Sequence, residues 1–243
     1  LLLLVGALVL RRQRARAGQV LRKREQVVGR LVALIRETFL GRLLKEHERR
    51  ERHGLVLVAE RIAPGLTLTH RRSIRTVDLA DQELDYPGQE FAQLFRKAKA
   101  RGLGITIHAG EISVEESRVN VRTAIEQMGA ERIGHGLHIV NEPDLIQLVI
   151  DNDITLELCP TSNLLTGSIP TIEDHPFKKL MDAGVKTTIN TDDPSLFAID
   201  WNSEYAVAEN SLCLSRADID QCIENAKTAS FIDTNTINKA WRA

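Results

Sequence analysis

The stretch Gly104-Ile105-Thr106-Ile107-His108-Ala109-Gly110-Glu111 sets an imidazole and a carboxylate three residues apart across a glycine. The β-branched run Ile105-Thr106-Ile107 reads as a buried strand, and Gly110 permits a sharp exit from it. His108 and Glu111 then fall at the C-terminal edge of a strand, where parallel α/β enzymes do their chemistry. An imidazole can hold a metal ion and a carboxyl group can move a proton, so the pair predicts metal-assisted hydrolysis. Three more stretches have the same form: Arg132-Ile133-Gly134-His135-Gly136, Leu158-Cys159-Pro160-Thr161-Ser162-Asn163, and Asn190-Thr191-Asp192-Asp193-Pro194. Taken singly, each has a plainer explanation: a strand-end histidine bonded to a turn, a satisfied core histidine, an Asp-Asp-Pro turn. Four polar strand ends aimed at one mouth are not what unrelated turns produce. The mixture of His and Asp is one that zinc accepts.

The elements that must position these groups follow a regular rhythm. Strands are expected at Thr76–Leu79, at the run leading to His108, at Arg132–Gly136, at Ile154–Pro160 and at Lys186–Pro194. Helices are expected between them: about Gln89 to Lys99, Asn120 to Met128, Pro143 to about Ile150, and Pro176 to Ala183. Proline at helix starts and glycine just past helix ends support these limits. The strand ends at His108, His135, Cys159 and Asp192 are 27, 24 and 33 residues apart, each the length of one βα unit. Such repetition predicts a parallel sheet with right-handed helical crossovers. Polar residues at successive strand ends favour a (β/α)8 TIM-type barrel. A doubly wound sheet is the alternative, but no G-x-G-x-x-G follows any strand. Ser215-Arg216-Ala217-Asp218 reads as the capping box of a helix from Arg216 to Ser230, and Asp233 to Trp241 can form a last one.

Charge divides the chain of 243 residues. Residues 1–76 hold 16 Arg and 2 Lys against 6 Glu and no Asp, a net of +12, whereas the remaining 167 residues carry −13. The expected organisation is a basic, largely helical segment over 1–53, with Val20 to Arg52 at helical spacing, followed by a partial barrel over 54–243 that includes a short strand at Leu55–Val58. A misjoined or out-of-frame reading would also produce the break near residue 76. The chain opens on Leu rather than Met, as a fragment would. Its ten apolar residues are shorter than the roughly 20 a bilayer requires. They read either as the tail of a signal or anchor or as one apolar helix. Membrane contact by residues 1–16 and nucleic-acid binding by the basic arm are the non-enzymatic alternatives, and a solvated helix face is the plainer account of that charge. The three cysteines form no C-x-x-C pair, so a reducing, cytoplasmic setting is expected, with the thiols as small buried hydrophobes.

Together the four motifs, in this order and spacing, resemble those of the adenosine deaminase family, over about Val77 to Phe231. The resemblance implies a zinc-dependent barrel that hydrolyses adenosine and 2'-deoxyadenosine to inosine and ammonia, with one Zn2+ per chain. It implies His108 and Asp192 as zinc ligands, Glu111 as proton donor to N1 of the purine, and His135 as the residue that orients the hydroxide attacking C6. Asp193 would hydrogen-bond the purine. Glu111 must then carry a proton when substrate is bound. The expected partner is a small purine nucleoside, with no nucleic acid and nothing to fix the oligomeric state. The family's His-x-His, which ends its first strand and supplies two more ligands, has no counterpart: among seven histidines no two are separated by one residue. An incomplete barrel with its first strands missing or replaced is therefore expected. Asp78-Leu79-Ala80-Asp81 also stands where the family has Asp-Leu-Ala-Gly. The alternatives are another aminopurine or modified nucleoside as substrate, and a catalytically dead remnant acting as a basic binding module.

Overall fold

Five short parallel strands lie side by side in the order in which the chain makes them: β1 Thr76–Leu79, β2 Gly104–Ala109, β3 Arg132–His135, β4 Thr155–Leu158 and β5 Lys186–Ile189. The computed structural model describes residues 76–80, 83–84, 87–233 and 235–237. The expectations for the apolar opening, the basic helix, the strand at Leu55–Val58, Asp81 and the chain beyond residue 237 lie outside these residues. Each strand pairs with the next, with Thr106 opposite Arg132, His108 opposite Gly134, and Glu157 opposite both Gly134 and Thr188. Sequential parallel neighbours joined by helices are the construction of a (β/α)8 barrel, of which the described residues form an incomplete arc.

The strands form where β-branched residues cluster, and their alternation separates two faces. Ile105, Ile107 and Ala109 of β2 are buried against the helical layer, with Ile133, Leu156, Leu158 and Ile189 beside them. Asp78, Thr106, His108 and Glu157 alternate to the other face, where Thr106 Oγ1 donates to Glu157 Oε2 at 3.0 Å. The covering helices are α1 Ala92–Lys99, α2 Glu115–Thr123, α3 Pro143–Asp151, α4 Pro160–Thr166 and α5 Phe177–Asp182, then α6 Pro194–Phe197, α7 Trp201–Asn210 and α8 Arg216–Thr228. Phe177, Leu180, Val121 and Met128 are the large side chains these helices press onto the sheet. None of the helices among the described residues is long and apolar enough to cross a membrane.

Several boundaries differ from those expected. The helix expected from Asn120 begins at Glu115, whose charge and that of Glu116 suit the positive end of a helix dipole. It continues as one π turn over Ala124–Met128 and stops at Gly129 in the left-handed region, φ 73°. β4 stops at Leu158, and Pro160 opens α4 at its first helical position, so Thr161, Ser162 and Asn163 lie in a helical turn rather than on a strand end. Helix α7 was not expected: Tyr205 and Ala208 make a weak apolar stripe, although Asp200 and Ser203 close a capping box. The box expected at Ser215 and Asp218 is present with both hydrogen bonds.

Candidate active site

His108, next to last in β2, lies on the polar face, and Gly110, just past the strand, sits in the left-handed region, φ 76°, which turns Glu111 back over the strand tops. A side chain at 110 would meet the Gly136 backbone at 2.9 Å, so this turn requires glycine. His135, the last residue of β3, and Asp192, just after β5, are non-glycine residues with φ of 65° and 57°. Such backbone is costly for a residue with a side chain and collects at functional sites. In both cases it swings a polar group off a strand end toward its neighbour's.

The result is one cluster. Ligand atoms of His108, His135 and Asp192 all lie within 4.8 Å of one another. The two imidazoles meet edge-on, with centroids 5.2 Å apart. Glu111 Oε2 lies 3.7 Å from His135 Nε2. Gly134 makes room for the His108 ring, since a Cβ there would stand 3.1 Å from it. Two imidazole nitrogens and a carboxylate oxygen at this spacing fit a borderline divalent ion such as zinc. Asp193, expected to contact substrate, is exposed and precedes the first turn of α6. Among the described residues its side chain makes no hydrogen bond.

The surrounding side chains hold this cluster in shape. Asp78 takes His108 Nδ1 at 3.1 Å, which leaves Nε2 directed at the site, the usual arrangement around a metal-binding histidine. Ser162 Oγ donates to Asp192 Oδ2 at 2.6 Å. Thr166 and Ser168 hydroxyls donate to Glu111 Oε1 at 3.0 and 3.2 Å, so its other oxygen faces His135. Glu83 grips the turn that carries Glu111. Its buried carboxylate accepts from the backbone N–H groups of Gly110, Glu111 and Ile112, at 3.0, 3.0 and 3.1 Å, and from Ser117 Oγ at 2.7 Å. Asn163 contacts both His135 and His175.

Burial and charge set the protonation tendencies. Burial pulls His108 down, but the hydrogen bond and charge of Asp78, with Asp192 and Glu157, outweigh it, and the net shift is upward. His135 is lowered, chiefly by burial, against the opposing charge of Glu111. Burial, aided by the charges of Asp192 and Glu157, raises the Cys159 thiol well above its ordinary value. Cys159 is therefore a packed thiol and not a nucleophile at neutral pH, and Cys222 is buried as well, but Cys213 is exposed, against the expectation of three buried thiols.

Of the residues singled out in the sequence, His108, Glu111, His135 and Asp192 come together, as do Ser162 and Asn163 of the third motif. Thr161 does not join them: its N–H goes to Glu204 at 3.3 Å. Sequence reasoning missed the supporting roles of Asp78, Glu83, Thr166, Ser168 and His175. The one usable signal was Asp78 at the end of β1, where the strand-end rule already pointed.

Comparison with known proteins adds an independent line. A family model described as adenosine deaminase matches residues 42–240. That stretch contains Val77 to Phe231 and extends past it at both ends, so the charge break near residue 76 lies inside the match. The adenosine deaminase of Shewanella loihica is 39% identical over 165 residues, covering 68% of this chain and 49% of its own. The chain thus spans about half the length of the curated relatives it matches. Among solved structures, an amidohydrolase from Burkhoderia ambifaria with bound Zn is 27% identical, with a TM-score of 0.67, over 77% of this chain and 50% of that one. An arabidopsis N6-mAMP deaminase is 26% identical, with a TM-score of 0.65, over 77% and 54%.

Proposed function

The chain belongs to the adenosine deaminase family, and from that premise we propose that its site deaminates adenosine and 2'-deoxyadenosine to inosine or 2'-deoxyinosine and ammonia with one zinc ion. The observation that carries the proposal is the convergence of His108, His135 and Asp192 within 4.8 Å, with Glu111 at 3.7 Å from His135. His108 and Asp192 would hold the ion. Bound there, zinc would acidify water enough to supply a nucleophile near neutral pH.

The chain's own groups do the rest. Addition of oxygen at C6 breaks the aromaticity of the purine, and proton transfer to N1 avoids a localised negative charge. Glu111, anchored through Oε1 by Thr166 and Ser168, presents Oε2 for that transfer. His135 hydrogen-bonds the attacking water and steadies the charge that develops on it. Asp193, exposed beside the cluster, accepts a hydrogen bond from the purine. The cytoplasmic setting expected from the cysteines belongs to the same proposal.

The test is release of ammonia from adenosine by the purified, zinc-loaded chain, together with loss of the adenosine absorbance band. Glu111→Gln should reduce turnover by on the order of 10²-fold or more, the usual worth of a positioned proton donor. Equal activity in that variant would remove Glu111 from the chemistry. With no His-x-His in this sequence, two of the usual ligands are lacking and zinc is expected to bind below stoichiometry after dialysis. The name of one solved neighbour favours a second reading within the same chemistry: N6-modified nucleotides as substrates. The same assay with those substrates separates the two.

A further inference from the structure

The cluster leaves one question of chemistry open. His135 is near enough to His108 and Asp192 to serve as a third ligand, or it can donate a hydrogen bond across the site. A neutral imidazole does one or the other with Nε2, according to which nitrogen carries the proton. The answer lies behind the site, in groups more than ten residues from any motif histidine.

It begins with a backbone amide. Pro176, φ −78° and ψ 14°, turns the chain at the start of α5 so that the Phe177 N–H points back at the side chain two residues before it. That N–H donates to His175 Nδ1 at 3.1 Å. A peptide N–H is never an acceptor, so Nδ1 of His175 is unprotonated and the neutral ring carries its proton on Nε2. Nε2 lies 3.2 Å from Asn163 Oδ1 and donates to it. This fixes the amide's orientation, because its nitrogen must then face the other way. Asn163 Nδ2 lies 3.2 Å from His135 Nδ1, which can only accept. Asn163 is 0% exposed, His135 2% and His175 6%, so bulk water does not compete at any link.

We propose that Asn163 and His175 are positioning residues that set the tautomer of His135, holding its proton on Nε2 and making it a donor to the site rather than a metal ligand. The three-atom cluster then divides into two ligands, His108 and Asp192, and one hydrogen-bond donor. Burial, with the nearby charges of His135 and His138, lowers His175 to about 3, which keeps it in the neutral form the relay needs. The catalytic meaning of this arrangement rests on the deaminase reading, whereas the tautomer itself does not.

The test is long-range proton–nitrogen NMR on the 243-residue chain labelled with 15N-histidine, metal-free and zinc-loaded. The expected spectrum shows an unprotonated Nδ1 and a protonated Nε2 for His135 in both states, and the same pattern for His175. A protonated Nδ1 on His135 in the zinc-loaded chain, with Nε2 bound to metal, would overturn the proposal. In Asn163→Asp a carboxylate replaces the amide donor, so His135 should invert to Nδ1–H. Turnover should then fall on the order of 10²-fold, with KM much less changed, because an oriented donor is lost and not a binding surface. An uninverted ring in that variant would refute the relay. If the variant does not fold, the wild-type spectrum decides the tautomer alone. Ammonia release from adenosine separates the two ideas: the predicted tautomer without turnover sinks the deaminase reading only, and turnover with the opposite tautomer sinks the relay only.

Discussion

Replacing Glu83 by Gln changes one oxygen to an NH2 group in a buried side chain with four hydrogen bonds. Oε1 accepts from the Glu111 and Ile112 N–H groups and from Ser117, while Oε2 accepts from Gly110 N–H. If the amide oxygen takes the three-bond position, its NH2 faces the Gly110 N–H, donor against donor. A stranded buried donor costs about 1–3 kcal/mol. The other three bonds fall from charge-assisted to neutral strength, about 1 kcal/mol each. Burying an amide instead of a carboxylate returns part of this. The expected net loss is about 4 kcal/mol, which for a domain of 150–250 residues lowers Tm by roughly 10 °C. Calorimetry reads that number, and ammonia release from adenosine reads the consequence for Glu111, which rides on the same turn. kcat should fall more than KM rises, because the proton donor loses its aim while the pocket persists. A Tm within about 2 °C of wild type with unchanged kcat would mean that the turn holds its own shape and that the four bonds are replaceable by water.

Three other outcomes are expected. Gly134→Ala pushes a methyl group to 3.1 Å from the His108 ring, and titration calorimetry should show zinc affinity reduced about 10-fold, the scale of a misplaced ligand. Stability should fall with acid between 6.5 and about 3, where unfolded His175 takes a proton that the folded chain refuses. The slope from this residue is about 1.4 kcal/mol per pH unit, full stability being kept above 6.5. His135 and His138, also lowered, add to the slope, and His108, raised, opposes it. His175→Gln should flatten the urea-midpoint profile by one proton, and an unchanged profile would show that His175 is not the group titrating. Stripping zinc with a chelator should lower Tm, and the loss should be restored by added zinc in a concentration-dependent way. Asp192→Asn should abolish that restoration, and persistence of it would place the ion elsewhere.

Much of this protein is written locally. The βα rhythm follows from β-branched runs, helical spacing, and proline and glycine at the joins, each a matter of a few adjacent residues. The five described strands accordingly fall within the stretches the pattern marks, although β4 and β5 stop early, at Leu158 and Ile189, and the identity of the residues at and just past their ends was enough to name the family. Helix α7 escaped because its apolar stripe is too weak to stand out, even though its capping box was there to be seen. What the sequence could not order was the ring of supporting groups. Glu83 meets Glu111 across 28 positions, Asn163 meets His135 across 28, and Asp78 meets His108 across 30. No periodicity links such pairs, because hydrogen bonds between loops depend on where parallel strands set their ends and not on spacing along the chain. The strained backbone at His135 and Asp192 belongs to the same class: only the assembled sheet can hold a side-chain-bearing residue in that region, and only there does it turn two strand ends toward one point.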